Sequence, residues 1–345
     1  MIDLTQVDEL NVGGERVGEL YLDGNKVWER PVYGMKLTAL EAGSTVSITA
    51  NGTPSSVDLR FKLNNGSLST YTIGDTITLT NVGDYVLFTA GPNGNSTFST
   101  GTSNYYQFSI TGSVSTQNTI AYLLDDRAGK GSGISLPNYA FLRLFYNNDQ
   151  PITNLDMSNV TTIGQKSAWG MCRGCTSLES VDLSSLTTIG TQGLRISFDE
   201  CSSLTSIDVS SVTSVSGEQG LYCFVKACSS LQSLDLGNLE SANGSESMTA
   251  IARNCTSLKS VNLKKLSSVG TNGLNQAFDG CTALEVVDFS EATDVPSITS
   301  STFSNTNSTF QIVVPDALYS TWIAATNWSS LASQIVKVSD YTPAS

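Results

Sequence analysis

The chain has 345 residues, room for two or three domains, and only 14% of them are charged while Ser, Thr, Asn and Gly abound. Its 18 Lys and Arg against 31 Asp and Glu leave a net charge of −13, which argues against nucleic acid or an anionic membrane as main partner, since both need basic patches. It contains no histidine, which removes the commonest general base and most zinc sites, and no run of about 18 apolar residues that would cross a membrane as a helix.

The opening stretch, MIDLTQVDEL, has neither a basic n-region nor an apolar h-region. No signal peptide is therefore expected, and folding in a cytoplasm is. Residues 1–33 read as a small unit in which Leu20-Tyr21-Leu22 and Val27-Trp28 flank Asp23-Gly24-Asn25, an Asp-Gly hairpin signal. A hairpin this small cannot bury Tyr21, Val27 and Trp28 by itself, so they either pack on the next domain or dock into a partner protein. The run Val17-Gly18-Glu19-Leu20-Tyr21-Leu22-Asp23-Gly24-Asn25-Lys26-Val27-Trp28 resembles the short segment that opens many tail-fibre-like proteins of phages and prophages. The resemblance implies a virion-proximal N-terminus that attaches to other virion proteins.

Residues 34–124 carry short β-rich stretches at 36–40, 45–50, 57–63, 76–79, 85–90, 105–110 and 119–124, separated by turn clusters such as Asn51-Gly52 and Asn64-Asn65-Gly66. This spacing fits an immunoglobulin-like β-sandwich acting as a spacer, without the Cys…Trp…Cys signature. A carbohydrate role there would need exposed aromatics, with Tyr71, Tyr105 and Tyr106 as the candidates. The Gly/Ser/charge-rich stretch 125–138 reads as a linker, and its Gly129-Lys130-Gly131-Ser132 lacks the spacing of a phosphate loop. Residues 139–146 start or cap a repeat domain.

In that domain a phrase close to Cys-Thr-Ser-Leu-x-Ser-Val-Asp-Leu-Ser-Ser-Leu-Thr-Thr-Ile-Gly recurs, beginning at Cys175, Cys201, Cys228, Cys255 and Cys281, in steps of 26, 27, 27 and 26 residues. Degenerate copies precede it at Ile152, Leu155, Met157, Val160 and Ile163 and follow it at Phe310 and Val313. Such a period, centred on L-x-x-L-x-L, is the signature of a leucine-rich repeat solenoid of short parallel strands. Leu178, Val181 and Leu183 are expected to point inward, with Leu186 and Ile189 closing the coil. The i,i+4 pairs Leu194/Phe198, Leu221/Val225 and Leu274/Phe278 predict a short helix or helical turn in each connection. The repeated Cys reads as a buried stack of free thiols, and the lone Cys-x-x-Cys of Cys172 and Cys175 is weak as a metal or redox signal. After residue 310, Pro315, Trp322 and Trp328 suggest a last strand, a helix start and an aromatic cover for the open end.

These repeats and this ending resemble BspA-type leucine-rich repeat proteins of bacteria and their phages, over about residues 150–340. The resemblance implies surface attachment: adhesins in bacteria, distal fibre domains in phages. The coils here run 26–27 residues, longer than is usual in that family. The expected organisation is a docking segment at 1–33, a sandwich at 34–124, a solenoid at 125–310 and a cap at 311–345.

Between the inward residues of each strand one side chain faces out on the concave face: Asp156, Asp182, Asp208, Asp235, Asn262 and Asp288. Parallel strands about 4.8 Å apart bring these carboxylates within mutual repulsion of roughly 1 kcal/mol in water. Hydrogen bonds from Ser180, Ser206, Ser233 and Ser260, a bridging Ca²⁺, or a cationic or polyhydroxylated ligand would each relieve it. At Asn262 the pattern breaks and Lys259, Lys264 and Lys265 gather beside it. The expected role is non-enzymatic recognition of a host-surface glycan or protein by a virion appendage, with no cofactor. A secreted bacterial adhesin is the alternative, and a carboxylate-based polysaccharide-degrading spike a third reading. Trimerisation, common in fibres, is not imposed by any heptad pattern.

Overall fold

The computed structural model describes residues 10–12, 15–17, 19–22, 25–29, 34–91, 94–95, 97–124, 133–146 and 151–342. They fall into two compact units, 1–33 and 34–345. In the first, Leu10–Val12 pairs antiparallel with Glu15–Val17, and Glu19–Leu22 with Asn25–Glu29. Leu20 pairs with Trp28 along the backbone of the second hairpin, with a register shift between Leu20 and Tyr21. The turn residues Asp23 and Gly24, and the side chains of Tyr21, Val27 and Trp28, lie outside the described residues.

The second unit begins with two antiparallel sheets packed face to face. One runs Val114–Gln117, Met35–Ala39, Tyr85–Ala90, Leu59–Leu63, Ser69–Thr70; the other Ser99–Gly101, Asn104–Thr111, Ser44–Asn51, Thr76–Leu79. The two-residue period buries Met35, Leu37 and Ala39 from one sheet against Val46 and Ile48 of the other. Phe88 meets Phe108 across the gap, edge to face at 5.6 Å. Tyr71, Tyr105 and Tyr106 are all buried, so none serves as an exposed sugar platform. The Tyr71 hydroxyl instead accepts from Ile48 N at 2.8 Å and donates to Asp75 O at 2.6 Å.

The sheets close directly onto the solenoid. Phe108 stacks on Phe145 at 5.0 Å, and Phe98 meets Phe141 at 5.9 Å. The backbone joins as well: Phe108 N donates to Leu144 O, and Thr116 exchanges hydrogen bonds with Asn154. The result is one hydrophobic core running from Met35 to Ile335. A solenoid end must be covered, and here a whole sandwich covers it. Two expectations change accordingly. The strand expected at 119–124 is a buried 3-10 turn, Ile120–Leu123, whose N-terminus is capped by the Thr119 hydroxyl. Within the stretch expected as a linker, 125–138, Ile134–Leu136 already pairs in parallel with Val160–Ile163 as the first strand of the solenoid. Residues 125–132 lie outside the described residues.

Each full coil has three sides. The first is the Ser-x-Asp strand, stacked as Asn154–Asp156, Ser180–Asp182, Ser206–Asp208, then Ser233–Asp235, Ser260–Asn262, Val286–Asp288, Gln311–Val314 and Ile335–Lys337. Within the described residues no strand pairing joins Ser206–Asp208 to Ser233–Asp235, so this ladder has a seam. The second side is a continuous six-stranded parallel sheet, Ile134–Leu136 to Ser268–Val269. Leu178, Val181, Leu183, Leu186 and Ile189 all point into the core.

The third side corrects the helix expectation. It is a ribbon of turns with a left-handed residue at every fourth position, as at Gln192 (φ 55°), Ile196 (φ 49°) and Glu200 (φ 66°). Alternate amides bond the next coil, Leu194 N to Gly220 O and Ile196 N to Tyr222 O, while those between bond back three residues, Arg195 N to Gln192 O. A four-residue period buries Leu194 and Phe198 as an α-helix would, which is why their spacing imitates one. Holding an ordinary L-residue left-handed costs about 1–2 kcal/mol, and Gly170, Gly174 and Gly280 occupy equivalent positions. Gln276→Gly (φ 54°) is therefore expected to gain roughly 0.5–1 kcal/mol net of glycine's unfolded-state entropy, read as a rise in melting temperature. A fall of more than about 1 kcal/mol would contradict it.

The two longer coils take their extra residue at one corner, 216–217 and 243–244, where a Cβ on Gly244 would overlap the carbonyl of Gly217. All seven cysteines are free and buried. Five of them form the expected stack, each Sγ donating to a carbonyl of the preceding coil: Cys175 to Phe145, Cys201 to Cys172, Cys228 to Phe198, Cys255 to Val225 and Cys281 to Ala252, at 3.0–3.2 Å. At the far end Gln311–Val314 leads through Pro315 into a 3-10 turn and the short helix Tyr319–Ala324. Trp322 and Trp328 lie 4.5 Å apart over Phe289.

Candidate functional site

The parallel register places Asp156, Asp182 and Asp208 side by side, and Asp235, Asn262 and Asp288 likewise beyond the seam. Each has a local partner. Oδ1 of every member accepts the backbone N–H two residues on: Ser158, Ser184, Ser210, Gly237, Lys264 and Ser290, at 2.8–3.2 Å. Ser158 and Ser210 add their hydroxyls to Asp156 and Asp208, both at 2.8 Å. These are Asx turns that end each strand. Ser180, Ser206, Ser233 and Ser260 stand two residues before the next Asp on the same face, roughly 7 Å away, which is out of reach. Relief of the carboxylate column thus comes from the turn that ends each strand.

Asn262 fits this account, because an amide oxygen closes the same turn without charge. It also supplies the control for a measurement. Asp156→Asn should leave stability within about 0.5 kcal/mol, while Asp156→Ala, which orphans the Ser158 amide, should cost about 1 kcal/mol. Equal losses in chemical denaturation would show that the charge, not the turn, matters.

The three lysines near the break are not equivalent. Lys264 Nζ pairs with Glu291 at 3.1 Å, Lys265 Nζ donates to Asn238 at 3.1 Å, and Lys259 is exposed. Among the described residues no group of three or more Cys, Asp or Glu is arranged to hold a metal ion. The face carries two depressions. One, of about 660 Å³, runs along Asp156, Asp182, Asp208 and Asp235 across the seam. The other, of about 390 Å³, lies between Asp235, Asn262 and Asp288 and is walled by Val313, Val338 and Tyr341. Val338 and Tyr341 come from the cap, in a segment no repeat phrase reaches, so no periodic signal points to them.

Sequence reasoning also passed over the turn side. There Arg173 Nε binds Asp199 at 3.0 Å, Lys226 Nζ binds the same carboxylate at 3.2 Å, and Arg253 Nε binds Asp279 at 2.9 Å. Burial pushes the Asp199 carboxyl up, against the pull of Lys226 and Arg173. Beside this row, cations lie over aromatic rings: Arg143 near Tyr105 and Trp169, Arg195 near Trp169 and Tyr222. The signal that would have found them is the repeat step itself, since Trp169, Arg195 and Tyr222 are separated by 26 and 27 residues.

Comparison with known families gives a match to the BspA type leucine-rich repeat region in six copies, over residues 136–274 and 222–333, together more than half of the chain. No curated protein matches it.

Proposed function

The chain belongs to the BspA-type leucine-rich repeat family, generally non-enzymatic repeat proteins, and on that premise we propose that it is a recognition protein whose Ser-x-Asp face meets a host-surface glycan or protein. The observation that carries the reading is the depression at the capped end of that face. Tyr341 there supplies a ring, Asp235 and Asp288 supply acceptors, and Asn262 supplies an amide, the mixture that recognises hydroxyl-rich ligands. Coil-by-coil repetition allows weak contacts to add through multivalency. The virion reading extends this. The N-terminal segment docks to other virion proteins, residues 34–124 act as an immunoglobulin-like spacer, and the solenoid is distal. Its support is the resemblance of residues 17–28 to tail-fibre openings. A bacterial surface adhesin fits the family match equally well.

Labelling purified phage particles and bacterial surfaces with antibody against the chain separates the two. Label on particles supports the virion reading, and label confined to cell envelopes overturns it. Recognition itself is tested by host-cell binding of Tyr341→Ala. A loss of about tenfold is expected, equivalent to roughly 1.4 kcal/mol. Unchanged binding would remove the capped depression from the account.

A further inference from the structure

On the turn side an alternating column crosses from the sandwich into the solenoid: Tyr105, Arg143, Trp169, Arg195, Tyr222. Successive members lie 5.4, 6.0, 5.0 and 4.9 Å apart, guanidinium to ring centroid. Lys166 adds a third cation, 5.3 Å from the Trp169 ring. Arg173, Lys226 and Arg253 on the same side are matched by Asp199 and Asp279, whereas Arg143, Lys166 and Arg195 form no ion pair among the described residues. Two donors of the stack, Trp169 Nε1 and Arg195 Nε, are buried with no acceptor among the described residues, a cost the Ser-x-Asp face does not bear.

We propose that this column is a second binding surface, for an acidic polysaccharide in which charged and neutral sugars alternate. Tyr105 is buried and anchors the column from the sandwich, while Arg143 and Arg195 lie over the Trp169 ring, so what remains for a ligand is guanidinium N–H groups and the edges of Trp169 and Tyr222. Both favour anions: the guanidinium offers a planar fork matched to carboxylate, and an aromatic edge is the positive part of its quadrupole. The spacing selects among polyanions. Arg143 and Arg195 stand two coils apart, about 10 Å at the strand spacing of a parallel stack, comparable to one disaccharide. Duplex DNA presents a charge about every 1.7 Å, far denser than three unpaired cations on a chain of net charge −13 can answer.

The test is direct binding of the full chain to hyaluronate oligosaccharides, with neutral dextran and a DNA duplex as comparison probes. Hyaluronate is expected to bind at low salt, with affinity falling as ionic strength rises. Arg143→Gln/Arg195→Gln should weaken it by about tenfold or more, and Lys166→Glu, on a half-exposed side chain, by a similar factor. Lys62→Gln, the same kind of charge change on the sandwich, should leave it unchanged. The proposal fails if hyaluronate does not bind at low salt, or if dextran or DNA binds as tightly. It fails equally if Lys166→Glu binds like the unsubstituted chain, an outcome readable even where the double variant does not fold.

Discussion

Trp328→Ala is expected to lower the unfolding free energy by about 3–5 kcal/mol. The ring is almost wholly buried and touches Phe289, Phe303 and Trp322, so its removal opens a cavity under the last coil. It also strands a carbonyl, because Trp328 Nε1 donates to Pro296 O at 2.7 Å. Trp322 offers the contrast. Its Nε1 is buried with no acceptor among the described residues, so Trp322→Phe removes an orphan donor while keeping most of the ring. That change should cost under about 1.5 kcal/mol, whereas Trp328→Phe leaves Pro296 unpaired. Urea denaturation gives the energies, and hydrogen exchange at Gln311–Val314 and Ile335–Lys337 should show the damage confined to the end coils. A Trp328→Ala loss below about 1.5 kcal/mol would mean that the tryptophan does not seal the end.

Alkali should act on the whole stack at once. Burial raises every thiol of the column, pushing Cys281 up to about 12 and, beside the column, Cys223 up to about 11. Cys175, Cys201 and Cys228 are driven well above the ordinary range by the same desolvation. An unfolded thiol ionises near pH 8.5, so the folded state keeps its full advantage below that pH. Above it the unfolded chain sheds protons that the folded chain retains, and stability falls until the folded thiols ionise in turn, for Cys281 near 12. Each thiol contributes a slope of up to about 1.4 kcal/mol per pH unit, and several act together. Melting followed by circular dichroism should thus drop steeply between about pH 9 and 11. Cys281→Val should flatten the slope by one thiol's share, about 1.4 kcal/mol per unit. Stability constant from pH 8 to pH 10.5 would be incompatible with a buried thiol stack.

The period, the inward leucines and the thiol stack were legible because each repeats at a fixed step and each kind of position keeps its own residue type. Asp182 and its counterparts were legible as outward-facing for the same reason, through the alternation of a strand. Their attachment to the amide two residues on was not, since it depends on the turn that ends the strand and not on the alternation within it. The connections misled because a left-handed residue at every fourth position buries Leu194 and Phe198 with helical spacing. Residues 119–124 misled because apolar residues in a row do not distinguish a strand from a 3-10 turn that plugs a core. Tyr341 could not be anticipated at all: its place beside Asp288 is set by the fold of a cap outside the repeat.

The ladder of Ser-x-Asp strands has a mechanical consequence. Its hydrogen bonds run along the stacking axis, so tension between the sandwich and the cap stretches them instead of shearing them. Bonds loaded in that way give way one coil after another, never all together. Where Ser206–Asp208 and Ser233–Asp235 meet without pairing, that side is held by flanking side-chain bonds, Ser229 Oγ to Ser202 O and Asn238 Nδ2 to Ser210 O, in place of a strand ladder. A pulled molecule should therefore yield first at that joint, gaining length there while the coils on either side stay wound.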